Sequence, residues 1–159
     1  MALTFLGIFL SGALAKLADD HEGKILSTAG GIVSGALGVI SALLLPEILP
    51  LALGAILGVL LAGKVDKLPH YANVATFMTI YALAPITVPL IPLAVFTACA
   101  YIDERLSGRE GILGKRIILP SMAAMYSLIT ANAIPILAQL LWDGGYVMVG
   151  YVYRNLRAS

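Results

Sequence analysis

Polar and apolar residues in this chain are segregated into blocks. Residues 2–15 carry no charge and stop at Lys16; Ile25–Leu45, Leu51–Gly63, 71–102 and Ile117–Trp142 follow as further apolar blocks between short charged runs. An apolar helix of about 20 residues crosses the ~30 Å hydrocarbon core of a bilayer, so the pattern predicts an all-α, polytopic transmembrane bundle forming a single integral membrane domain over 1–159. Ser11-Gly12-Ala13-Leu14-Ala15 imitates a signal-peptide cleavage site, but no basic residue precedes the apolar stretch and six titratable side chains soon follow it, so a retained first helix is expected. Block 71–102 is too long for one crossing. Pro85, Pro89 and Pro92 split it into two helices joined near Ala84–Pro89, since proline suits a turn or a helix's first turn.

This gives six spans, or seven if Ile117–Tyr153 forms a hairpin turning near Asn132–Pro135. The six-span version takes Asp143-Gly144-Gly145, between Trp142 and Tyr146, as an interfacial turn. In the seven-span version Asp143 lies within the membrane, where a carboxylate is costly and usually functional. Gly31-xxx-Gly35 and Gly54-xxx-Gly58 have the small-residue spacing that lets helices approach closely in lipid. They predict tight packing of the second helix on the third, and faces through which copies of the chain could associate.

Composition agrees: 60% of residues are hydrophobic and 12% charged, about half the charge of a soluble domain. A net charge of +1 argues against a nucleic-acid partner; membrane lipids are the expected surroundings. The scarcity of Asn, Gln and Cys fits a thermophilic source. With the N-terminus outside, Lys16 and Lys24, then Lys64 and Lys67, then Arg105, Arg109, Lys115 and Arg116 fall on one side. That is the positive-inside pattern, and it makes 16–24, 64–70 and 103–116 the cytoplasmic loops of a multi-pass cell-membrane protein. Arg154 and Arg157 join that side only in the seven-span version.

Seven of the nine carboxylates and both histidines gather at the same face. Asp19-Asp20-His21-Glu22 could converge on a hard cation, or one aspartate could cap the second helix. Asp66 and His70, four residues apart, share a helical face suited to one metal ion; the plainer use of Asp66 is to N-cap a helix that has Pro69 in its first turn. Asp103-Glu104 ends a helix whose dipole disfavours carboxylates there, a cost that Arg105 and Arg109 or a metal ion would offset. The segment 107–116 is glycine-rich and basic but lacks the Walker A pattern, and an ordinary lipid-facing basic loop accounts for it as well.

Together these features predict a divalent-metal site, Mg²⁺ being the best fit, with Asp19, Asp20, Asp66, His70, Asp103 and Glu104 as ligands. Lys64, Arg109 and Lys115 would bind phosphate, and His21, His70 or Asp103 would serve catalysis. The expected activity is metal-dependent hydrolysis or transfer on a phosphorylated lipid, isoprenoid phosphates included. The alternatives are a transporter or channel lined by Ser34, Ser41, Asn73, Thr76, Thr79, Thr97, Ser127, Thr130 and Asn132, and a non-catalytic assembly subunit.

Overall fold

A computed structural model describes residues 1–20, 25–111 and 115–158, and for 156–158 the backbone alone. Among them lie seven α-helices: α1 (Ala2–Asp20), α2 (Ile25–Leu44), α3 (Leu49–Leu61), α4 (Leu68–Leu83), α5 (Leu90–Leu106), α6 (Ile118–Ile129) and α7 (Ile134–Ala158), with a 3₁₀ turn at Pro46–Ile48. No strand occurs among the described residues. By length and composition α1 and α2 can cross a membrane, whereas α6 and the stretch Pro46–Leu61 are shorter apolar helices.

Prolines and one glycine set several boundaries. Pro69 occupies the first turn of α4, and Pro89 is the residue before α5. Gly63, at φ 69°, terminates α3 as its Lys64 and Gly63 amides fold back onto the carbonyls of Val59 and Leu60. Ile117–Trp142 is not one helix. After α6 the amides of Asn132 and Ala131 return to the carbonyls of Ser127 and Leu128, with Ala131 at φ 51°. The Asn132 side chain then accepts the Ile134 amide and the Ser127 hydroxyl accepts that of Ile136, starting α7. Residues 143–145 continue helically inside α7, so the expected interfacial turn is absent there. Gly145 has a packing role instead: a Cβ on it would strike the Phe9 carbonyl oxygen on α1.

The helices form two compact units, residues 1–44, 66–84 and 140–159 in the first and 45–65 and 85–139 in the second. In the first, α1 and α2 run antiparallel: Ser41 donates to the Thr4 carbonyl, and Ser11 and Ser34 each donate to the other's carbonyl at 2.9 Å. Gly31 and Gly35 press α2, in parallel, onto the backbone of Pro69 and Asn73 in α4. Gly12 meets Trp142, and Gly150 meets Lys16, so α7 runs parallel to α1. In the second unit Gly54 and Gly58 press α3, in parallel, onto Phe96 and Ala100 of α5. Helix α6 returns antiparallel along α5, with Phe96 edge-on to Tyr126 at 5.3 Å in a core with Leu51 and Ala123.

The expected pairing of the second helix with the third is therefore corrected. The Gly-xxx-Gly face of α2 is filled by α4 and that of α3 by α5. Spacing announces a close approach without naming the partner.

Candidate functional site

In the first unit Asp19 and Asp20 are helical. Helix α1 ends at Asp20, and its last turn meets the first turn of α4. His70 donates from Nε2 to Asp19 Oδ1 at 2.5 Å, and its Nδ1 lies 3.3 Å from Asp66 Oδ1. The Tyr146 hydroxyl of α7 donates to the other Asp19 oxygen. Lys16 pairs with Asp20 at 2.9 Å and lies 5.2 Å above the Tyr146 ring, which stacks on Trp142. Three elements separated by up to 127 residues thus converge on one carboxylate.

The i, i+4 spacing of Asp66 and His70 is used, but Asp66 does not cap α4. Lys67 holds the N-cap position, without a side-chain cap bond. Asp66 has a 61% exposed side chain, whereas His70 and Asp19 are at 29% and 27%. The hydrogen bond to Asp19 raises the His70 pKa above the ordinary 6.5 against the lowering effect of burial, and Asp66 adds to the rise. Nε2 is fixed by the more sheltered carboxylate while Nδ1 faces the exposed one. An imidazole oriented by a carboxylate through one nitrogen can exchange a proton at the other.

Asp103 and Glu104 belong to the second unit and have other partners. Asp103, 3% exposed, accepts the Ile118 and Leu119 amides at 2.9 and 2.6 Å, capping α6 from the end of α5. Glu104 pairs with Arg116 at 2.9 Å, and Arg116 also donates to Ser107. The α6 amides and Arg116 help to offset the cost of carboxylates at the α5 C-terminus, where Arg105 also lies in the last turn. Lys64, Arg109 and Lys115 are exposed and belong to the second unit. His21 lies outside the described residues.

Among the described residues no three His, Cys, Asp or Glu side chains form a group able to hold one metal ion. Both Asp19 oxygens and both His70 nitrogens already face partners within the cluster.

Tyr146 and Lys16 are the site members that the sequence did not single out. Lys16 carried a local signal, its i, i+4 relation to Asp20; Tyr146 carried none.

The hydroxyls and amides proposed as a pore lining have local uses. Asn73 donates to Ser34, Thr97 to the Leu93 carbonyl and Thr130 to the Tyr126 carbonyl, while Ser127 and Asn132 receive amides at the start of α7. Side-chain bonds of this kind between and along helices act as glue in lipid. In comparisons with known proteins, no family model, curated protein or solved structure matches the chain.

Proposed function

We propose that the chain is a multi-pass membrane protein whose Asp19–His70–Asp66–Tyr146 cluster performs acid–base chemistry on the headgroup of a phosphorylated lipid. The observation that carries this reading is the convergence of α1, α4 and α7 on the Asp19 carboxylate at a charged end of otherwise apolar helices. Within each unit the odd-numbered helices run one way and the even-numbered ones the other, the order a chain crossing a bilayer seven times requires. That order also favours the seven-span version, in which Arg154 and Arg157 join the other basic residues on the cytoplasmic side.

In the proposed reaction a P–O bond to the lipid breaks, His70 gives its Nδ1 proton to the departing alkoxide, and water or an alcohol takes its place on phosphorus. The proton this nucleophile loses returns to His70. Asp19 keeps the imidazole oriented, and Lys16 supplies positive charge for phosphate oxygens. Mg²⁺ is commonly held by one or two carboxylates together with substrate phosphates, and the exposed Asp66 is the carboxylate suited to that part.

The test is release or transfer of phosphate from phosphatidic acid or an isoprenyl phosphate by the chain in liposomes. Turnover should fall at least 100-fold in Asp19→Asn and His70→Gln with helicity retained. Wild-type levels in both variants would remove the reading.

A second reading follows from the same geometry, because these hydrogen bonds tie α1 to α4 and α7. As a purely structural clamp the cluster would serve an assembly subunit, and the two substitutions would then lower melting temperature in a protein that turns over no lipid.

A further inference from the structure

The second unit contains a feature that the cluster in the first does not use. An open groove of about 780 Å³ runs between α3 and α5, lined by Leu57, Leu61, Leu90, Ala94, Ala98 and Tyr101 among others. Its volume lies within the ~300–1,000 Å³ typical of ligand clefts. The groove exists because Gly54 and Gly58 draw the helices together while exposed Ala94 and Ala98 leave room beside them.

Helices α3 and α5 run parallel, so both C-termini lie at the same end of the groove. On α5 the lining residues Leu90, Ala94, Ala98 and Tyr101 follow one helical stripe, and Arg105 continues it one turn beyond Tyr101. On α3 the stripe Leu57–Leu61 is followed by the Gly63 turn and Lys64. Arg105 and Lys64 are both exposed, and neither forms an ion pair among the described residues. An apolar trough that ends in two cations has the polarity of a single molecule with a hydrocarbon tail and an anionic head.

We propose that the α3/α5 groove is a binding site for one anionic membrane lipid, its chain along Ala94 and Ala98 and its headgroup at Arg105 and Lys64. Juxtamembrane cations attract anionic headgroups, and the trough adds a tail contact that a lone basic loop lacks. The inference rests on the membrane reading but not on the catalytic one. The competing use of the two cations is to complement the C-terminal dipoles of α3 and α5.

The experiment is native mass spectrometry of the full chain, purified in detergent and exchanged into equal phosphatidylglycerol and phosphatidylcholine. The wild type should retain one phosphatidylglycerol at least fivefold over phosphatidylcholine. Arg105→Gln with Lys64→Gln should abolish that preference with melting temperature unchanged. Ala94→Phe, or Ala98→Phe where the first fails to fold, should remove the retained lipid. Diacylglycerol and inorganic phosphate should each fail to compete, which separates an intact anionic lipid from either half of its chemistry. No headgroup preference in the wild type, or an undiminished lipid in the groove-filling variants, would overturn the proposal. So would a double variant that melts lower yet keeps its preference, the signature of the dipole role. A chain that stays soluble without detergent would instead sink the membrane reading.

Discussion

Ser11 and Ser34 exchange hydrogen bonds across the α1/α2 interface, each hydroxyl donating to the other residue's carbonyl at 2.9 Å. Ser34 also accepts from Asn73 of α4 at 2.8 Å, so one buried hydroxyl links three helices. Ser34→Ala should cost on the order of 1–2 kcal/mol, and Ser11→Ala with Ser34→Ala less than the sum of the two, since they share partners. Thermal unfolding of the singles and the double in one detergent measures this; strict additivity would contradict the shared network.

Adjacent glycines in α7 should respond in opposite ways. A Cβ on Gly145 would meet the Phe9 carbonyl oxygen, whereas one on Gly144 meets nothing within 4 Å. Gly145→Ala should therefore destabilise strongly by forcing α7 away from α1. Gly144→Ala should be neutral or stabilising by up to about 1 kcal/mol, through helix propensity. Similar melting temperatures for the two variants would mean that α7 does not approach α1 this closely.

Protonated His70 is favoured in the folded chain because Asp19 accepts from it, and its pKa lies above the ordinary 6.5. A raised folded pKa contributes stability that is complete below the unfolded value and fades as pH climbs through the folded one. Melting temperature should therefore decline from about pH 6.5 upward, and His70→Gln should flatten that decline. An equal slope in the variant would show that another group titrates.

Asp103 is expected to stabilise without a metal. Asp103→Ala should cost roughly 2 kcal/mol, by leaving two half-buried amides at the start of α6 unpaired. Magnesium should not alter the wild-type melting temperature through this residue. A magnesium-induced rise that disappears in the variant would restore Asp103 as a ligand.

Ala131 ends α6 at φ 51°, a conformation that costs a residue with a side chain and costs glycine nothing. Ala131→Gly should raise stability by about 0.5–1 kcal/mol, read as a higher melting temperature.

The helix breaks were legible because they rest on local chemistry: Pro69 and Pro89 restrict their own neighbourhoods, and Gly63 alone tolerates its turn cheaply. Partner choice was not. Gly31 and Gly35 signal a close neighbour equally well whether it is α3 or α4. Gly144-Gly145 read as a turn since glycine serves both turns and tight contacts, and only the Phe9 backbone distinguishes the two. Asp66 and His70 were a visible pair by spacing, whereas nothing near Tyr146 points to Asp19. The acids at Asp103 and Glu104 resembled ligands because a cap donated from another helix leaves no mark in the local pattern.

The first unit is assembled from three separate stretches, the last of which begins at Leu140. During synthesis Asp19 emerges first, His70 some fifty residues later, and Tyr146 127 residues after Asp19. A nascent chain therefore holds its first helix with an unfinished carboxylate until α7 has been made. Premature termination anywhere before Tyr146 leaves that defect exposed, a ready mark for quality control.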